Sequence, residues 1–425
     1  MRQESASVVG GGVIGLFTAL RLAQDGWRVT LFEADRLGSG AALGNGGWVC
    51  PALSKPLAGP GMVTDTVAHS FSRDAAVRLH LPPRRATVAW VARFARYCTA
   101  AHLERTWQSA ARLSDLSAEQ WDRLGEWGLD VPVNRAGTLF LYPDSAAAQA
   151  GLEGARFVQA LGQPTPHEVL SGEELREIEG GVSPAVAAGF LWPEQGYVDP
   201  RTLVTSLVTA LDAAGVEVIE SAPVVSVDEN ADRVLVHASG QVRRSEVAVV
   251  ATGAGIASSL RPLGVRVPVI AGKGYSFDVP VERPWSHAVS MPGPHVVATP
   301  LANGRLRLAG IMELDRDPRR FNASVVEQIA RGGAAYLTGV DWSDRRHEWV
   351  GARPLTPDTL PLVGPLRPGS RVVVAGGHGT MGVTQGPGTA ELVRAHLAGD
   401  DLPPWVAELG PGRFSGGRTR VRQRR

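Results

Sequence analysis

Apolar residues open the chain as a short β-branched run, Ala6-Ser7-Val8-Val9, which stops at Gly10. Leu16, Leu20 and Ala23 then recur at helical spacing as far as Gly26. Residues 27–32 form a second apolar run, closed by Glu33. The pattern predicts strand, helix, strand. From 63 to 127 the spacing is helical, with Trp90, Phe94, Tyr97 and Cys98 on one stripe. Trp107, Leu113, Leu116, Trp121, Leu124 and Trp127 continue it. Such a stripe predicts the core face of helices. A strand is expected at 137–142, a helix at 146–161, and a capped helix start at Ser171 with Glu174. Pro200 opens a predicted helix that runs to 214, and strands follow at 216–220, 224–227, 233–238 and 247–251. After 267 the alternation becomes that of an antiparallel sheet, with strands at 274–279, 295–299 and 306–311 and an Asn303-Gly304 turn. A helix over 321–337, a Pro-rich loop over 351–364, a buried strand at 371–375 and a helix over 388–397 complete the pattern. The expected fold class is α/β, a parallel layer and a separate antiparallel one.

The turn between the first strand and helix carries chemistry. Gly10, Gly12 and Gly15 form G-x-G-x-x-G, and Glu33 stands eighteen positions beyond Gly15 at the end of the next strand. The flanking strand and helix make this a dinucleotide-binding turn. Gly10 permits the tight turn, Gly12 lets a pyrophosphate approach the backbone, and Gly15 lets the helix pack on the strand. The helix N-terminus offers unpaired N–H groups to phosphate. Glu33 suits the two ribose hydroxyls of an adenosine and repels a 2′-phosphate, which disfavours NADP. A glycine turn with only a structural role is the alternative. The segment after Glu33 separates NAD from FAD. The small-residue run from Ser39 to Gly47 leads into a long helical stretch, where an NAD enzyme proceeds to another strand. A second G-x-G-x-x-G, Gly377, Gly379 and Gly382, has no acid at the matching distance and is not read as a second nucleotide site.

Composition narrows the rest. A chain of 425 residues, 44% hydrophobic and 20% charged, is globular and long enough for two or three domains. Cations and anions nearly cancel, 43 against 42, so no global field attracts nucleic acid. Two cysteines, Cys50 and Cys98, make neither a disulfide framework nor a zinc site. No cluster of His, Asp and Glu at ligand spacing appears, so no metal is expected. No apolar run approaches a spanning length and no secretory signal precedes the first strand. A cytoplasmic location is expected, with membrane contact at most peripheral. Arg413, Arg418, Arg420, Arg422, Arg424 and Arg425 crowd a basic tail, 401–425, expected to be disordered.

Four further pieces stand in order along the chain: Gly44-Asn-Gly-Gly-Trp-Val-Cys-Pro51, Lys273-Gly-Tyr-Ser276, Arg353-Pro-Leu-Thr-Pro-Asp358 and Gly377-His-Gly-Thr-Met-Gly382. With the N-terminal motif and Ala251-Thr252-Gly253-Ala254, the set resembles the FAD-dependent D-amino-acid oxidase superfamily, and within it the flavin subunit of bacterial D-amino-acid dehydrogenases. The resemblance implies a Rossmann-type FAD-binding domain built from discontinuous segments, 1–60, 193–268 and 350–400. It implies a substrate domain, 61–192 and 269–349, with a mainly antiparallel sheet and a helical insert. FAD contacts are implied for Gly10, Gly12, Val13, Ile14, Gly15, Glu33, Ser39, Gly40, Asn45, Gly46 and Gly47. They are also implied for Val225, Thr252, Gly253, Ala254, Gly377, Gly379, Thr380, Met381, Gly382 and Thr384. Gly351 and Ala352 stand where sarcosine-oxidase-like relatives carry a flavin-tethering cysteine, so FAD is expected to be non-covalent.

The implied chemistry is oxidation of an amine carbon beside a carboxylate. Hydride passes from Cα to flavin N5, and the imine is hydrolysed to a 2-oxo acid and ammonia. Arg353 is the expected carboxylate clamp, because a guanidinium pairs bidentately with carboxylate. Its alternative is a structural pair with Asp358. Tyr275 is a second candidate donor to the carboxylate, against a half-buried sheet tyrosine. His378 is expected near the flavin pyrimidine, shaping the turn or stabilising reduced flavin. Substrate identity, a quinone, protein carrier or oxygen as acceptor, oligomerisation, and a non-catalytic FAD-binding subunit all stay open.

Overall fold

The computed structural model describes residues 4–62, 75, 77–80, 83–160, 162–315 and 317–414, without the side chain of Phe157. Two large sheets organise it. The six-stranded sheet runs Leu362–Pro365, Val372–Gly376, Val247–Val250, Ser5–Val9, Arg28–Phe32, Glu217–Ile219, and all pairs but the first are parallel. Its central strands are apolar at nearly every position because both faces are covered. Leu16 and Leu20 of helix Val13–Gln24, Leu203 and Leu207 of helix Pro200–Ala213, and Leu392 of helix Gly382–Ala398 pack on one face. On the other, Val9, Val250 and Val374 meet Val227 and Val236 of a three-stranded antiparallel sheet.

The second large sheet has nine strands. Its path is Arg346–Leu355, Ile270–Pro280, Arg305–Leu314, Val296–Pro300, Ala288–Met291, Thr138–Tyr142, Ala188–Trp192, Leu170–Ser171, with Val77–Leu79 added beside Arg305–Leu314. Pairing is antiparallel except at Ala288–Met291 with Thr138–Tyr142 and at Val77–Leu79. Helix Ala323–Ala334 packs Val325, Val326 and Ile329 onto Tyr275, Phe277 and Leu308.

Three expectations need correction. The stretch beginning at 351 is not all loop, since residues as far as Leu355 finish strand Arg346–Leu355. Pro354 is tolerated there because the strand lies at the end of the sheet, where a missing N–H leaves no neighbour unpaired. The helical reading of 63–127 fails at Val77–Leu79, a strand, and its residues 63–74 lie outside the described residues. Against the expected disorder, the described part of the tail forms two 3-10 turns at Pro404–Leu409 and Pro411–Phe414. The Arg413 guanidinium forks onto Asp358, at 2.6 and 3.2 Å, and so ties the tail to the Pro-rich loop. The other five tail arginines lie outside the described residues.

Arg307 joins the second sheet to the glycine run after Glu33. It is buried and pairs bidentately with Asp278, at 2.8 and 3.1 Å. Its remaining nitrogen donates to the Leu43 carbonyl at 2.7 Å and to Asn45 O at 3.3 Å. An ammonium satisfies Asp278 without reaching both carbonyls. Arg307→Lys is expected to cost about 1–2 kcal/mol, measured as a lower Tm with the cofactor bound.

Candidate active site

Two helices begin at one cavity. Helix Val13–Gln24 starts after Gly12 and helix Gly382–Ala398 after Met381, neither with a side-chain cap. Their first-turn N–H groups are therefore free to meet an anion. The cavity between them measures about 1200 Å³. That exceeds the usual small-molecule pocket of roughly 300–1,000 Å³.

The residues of the first glycine turn have distinct tasks. Gly10 has φ +107°, and a Cβ on it would lie 2.6 Å from the Ala251 carbonyl oxygen. A Cβ on Gly15 would lie 1.8 Å from the Gly10 carbonyl oxygen, so Gly15 serves helix packing and does not line the cavity. A Cβ on Gly12 would meet nothing within 4 Å among the described residues. Glu33 is held at the cavity edge, its carboxylate accepting from the Gly11 N–H at 2.6 Å and the Asp35 N–H at 2.9 Å. Open space over Gly12, uncapped helix ends and an anchored carboxylate fit a dinucleotide with an unphosphorylated ribose.

Most of the other expected cofactor residues share this cavity. Gly10, Val13, Ile14, Ser39, Gly40, Asn45 and Gly46 line it, as do Thr252, Gly253, Ala254, Gly379, Thr380, Met381, Gly382 and Thr384. Three do not. Gly47, at φ +73°, lies against Val198. Gly377, at φ +76°, makes a turn against Thr356. Val225 is 77% exposed, because it is the extra residue at a register shift opposite strand Val234–Ala238, and Ala222, Pro223 and Val224 form the wall instead.

Of the three expected catalytic residues, the structure brings two to the cavity. Arg353 lines it with no carboxylate partner among the described residues. Among the described residues its Nη1 donates only to the Ile311 carbonyl, at 3.5 Å. Asp358, its alternative structural partner, is taken by Arg413. Burial pulls the Arg353 pKa down to about 10, which leaves it a cation at neutral pH. His378 also lines the cavity. Its Nε2 meets Thr389 Oγ1 at 2.8 Å, while buried Nδ1 has no partner among the described residues. Burial holds its pKa at about 3, so it acts there as a neutral imidazole, not as a counter-charge.

Tyr275 must be withdrawn as a substrate donor. It is fully buried and absent from the cavity wall. Alternation puts it on the face opposite Gly274, where its hydroxyl donates to Glu313. Burial, and then that carboxylate, push its pKa up. Lys273 shares this face and meets Glu313 and Asp315, each at 2.8 Å. His80, Glu313 and Asp315 thus form a cluster that the sequence spacing hides. The Lys273 ammonium supplies the cation these carboxylates need.

Sequence reasoning also missed three aromatic walls. Trp90 and Phe94, expected on a core stripe, line the cavity. Trp90 donates its indole N–H to the Leu355 carbonyl at 3.1 Å and stacks on Phe94 at 5.2 Å. Trp349 is the third. Helical spacing marks a buried face but not what lies against it. The signal present was charge, since helix Arg85–Tyr97 carries arginines and no acid.

Fold and cavity together define an FAD-dependent oxidoreductase. Residues 6–396 match the family described as DAO, FAD dependent oxidoreductase, and the chain belongs to it. A D-amino acid dehydrogenase from Paramagnetospirillum magneticum is 30% identical over 426 aligned residues, 96% of this chain and 98% of that one. Glycine oxidase from Geobacillus kaustophilus shares the fold at TM-score 0.74 and 23% identity, over 97% and 99% of the two chains. L-proline dehydrogenase from P. horikoshii does so at 0.72 and 19%, over 98% and 99%. The cofactor is FAD, and Gly351 and Ala352 at the cavity wall offer no thiol to it. Among the described residues no helix is long and apolar enough to cross a membrane.

Proposed function

We propose that the chain oxidises a D-amino acid to its 2-oxo acid and ammonia and passes the electrons to a quinone or another carrier. The observation that carries the substrate half is Arg353, a cation in the cofactor cavity with no carboxylate partner among the described residues. FAD, when bound, supplies the two-electron acceptor for the amine carbon. The chain's residues supply position and charge. Gly10, Gly12 and the two open helix ends hold the phosphates, and Glu33 the ribose. Arg353 fixes the substrate carboxylate, with the Ile311 carbonyl keeping the guanidinium in place. The only carboxylates that line the cavity among the described residues are Glu33 and Asp35. Glu33 is committed to the Gly11 amide, so the site is built to orient and not to abstract a proton with a carboxylate.

The acceptor half is supported by the 30% identity to a D-amino acid dehydrogenase. Helix Arg85–Tyr97 adds a surface. Arg84, Arg85, Arg93 and Arg96 are exposed on it, Val88 is 54% exposed, and Val91 and Phe94 line the cavity beneath. A basic and apolar helix over the cavity suits contact with an anionic bilayer and a carrier within it.

Reoxidation tests the reading. An anaerobic panel of D- and L-amino acids should bleach the flavin with D-isomers. The reduced protein should then reoxidise slowly in air and fast with a quinone analogue or dye. Full-rate reoxidation by oxygen with stoichiometric peroxide makes it an oxidase, and bleaching by L-isomers alone reverses the stereochemistry.

A further inference from the structure

The cavity around Arg353 is built from bare backbone and apolar rings. Along strand Arg346–Leu355, Trp349, Gly351, Arg353 and Leu355 share a face by alternation. Glycines lie beneath each long side chain. A Cβ on Gly351 would sit 2.0 Å from the Trp349 ring, on Gly274 2.4 Å from the Arg353 guanidinium carbon, and on Gly272 2.5 Å from Leu355. Indole, guanidinium and leucine therefore lie flat against the main chain. Gly44 closes on the same indole, its Cβ position 2.0 Å away, so Trp349 is clasped between two glycines from different segments.

The neighbouring strand contributes Ile311 and Met312. A register shift leaves Ile311 as the extra residue opposite strand Ile270–Pro280, at φ +49°. A β-branched residue seldom adopts that conformation. Its carbonyl meets Arg353. Trp90 has its N–H committed to Leu355, so only its ring is left to present, with Phe94 stacked against it. Among the described residues, the charged side chains lining the cavity are Glu33, Asp35, Arg319 and Arg353, apart from its histidines. The first two follow the Rossmann strand Arg28–Phe32, and Arg319 is exposed. Arg353 is thus the charged group set among Trp349, Trp90, Leu355, Ile311 and Met312.

We propose that this site selects amino acids with a large apolar or aromatic side chain, and that Trp349 and Trp90 set that preference. The inference rests on Arg353 being the carboxylate clamp. With the carboxylate so fixed, the substrate side chain meets these walls. Among these walls an ammonium side chain finds no counter-ion, an acidic one finds only the exposed Arg319, and both lose hydration. A phenyl or isobutyl group gains by leaving water, and a methyl group leaves most of the wall uncovered.

Two measurements on the FAD-loaded protein test this. In the first, carboxylates that cannot be oxidised are titrated against tryptophan fluorescence and flavin absorbance. 3-Phenylpropionate is expected to bind about 10- to 100-fold more tightly than acetate or succinate. In the second, kcat/KM with an artificial dye is expected to fall in the order D-phenylalanine, D-leucine, D-alanine, D-aspartate. Trp349→Ala should lower the D-phenylalanine to D-alanine ratio about tenfold, and Trp349→Phe should restore most of it. If D-alanine or D-aspartate matches D-phenylalanine, or short carboxylates bind as tightly as 3-phenylpropionate, the inference is overturned while the amino-acid reading stands. If no carboxylate binds and no amino acid bleaches the flavin, the clamp itself is wrong and both fall. Should Trp349→Ala lose its FAD, the two panels on the unaltered protein decide alone.

Discussion

Arg353→Ala is expected to lower kcat/KM by roughly 30- to 1000-fold while the protein stays yellow. The loss corresponds to about 2–4 kcal/mol, the worth of a charge-assisted bidentate pair in a sheltered site. The structure makes the variant informative. Arg353 holds no carboxylate of the chain among the described residues and donates only a long hydrogen bond to Ile311. Truncation therefore strands no buried anion, and the fold should survive. Arg353→Lys should recover only part of the activity, because an ammonium on a flexible stem cannot form the fork. Gly274 gives an independent check. Its missing Cβ is what lets the guanidinium lie against the main chain, so Gly274→Ala should displace the clamp and raise KM with FAD retained. Normal kcat/KM and flavin content in Arg353→Ala would move the carboxylate site elsewhere.

Gly12→Val is expected to yield a folded, colourless protein, and Gly15→Val a poorly folded one. The two glycines belong to one motif, yet they face different neighbours. A Cβ at Gly12 meets no atom of the described residues beyond its chain neighbours within 4 Å, and a valine there projects into the space the pyrophosphate needs. FAD affinity should fall at least about a hundredfold, since the loss of close phosphate contact removes several charge-assisted hydrogen bonds. A side chain at Gly15 would be driven to 1.8 Å from the Gly10 carbonyl oxygen, so the helix must part from the strand. Absorbance at the flavin bands and circular dichroism separate the two outcomes. A yellow Gly12→Val protein would place the pyrophosphate away from this turn.

Both experiments depend on a site that was only partly legible in the sequence. The first strand, glycine turn, helix and Glu33 could be read because their contacts are local. Gly10, Gly12, Gly15 and Glu33 act within one βαβ unit, and the period of apolar residues reports the elements on either side. The same holds for the capping box at Ser171 and Glu174, which the structure forms as expected. Arg353 was visible through the Arg-Pro segment that carries the resemblance, not through any periodicity.

What escaped was decided by neighbours distant along the chain. Tyr275 and Gly274 are adjacent residues on opposite faces of one strand, and the pairing of that strand with Arg305–Leu314 and Arg346–Leu355 decides which face meets the cavity. Val225 is turned outward by a register shift between Val224 and Ser226. Trp90 carries the helical spacing of a core residue, and only the Leu355 carbonyl and the cavity beside it make it a wall of the site. Asp358 could have paired with Arg353 by proximity in sequence. It pairs instead with Arg413, 55 residues on, because the tail turns back over the Pro-rich loop. The nucleotide turn and the alternation of layers follow from the residues in their order, since these arise from local conformational preference and the burial of periodic apolar faces. Tertiary structure alone decided which side chains share the substrate cavity, since strand register and the packing of remote segments set the side on which each one emerges.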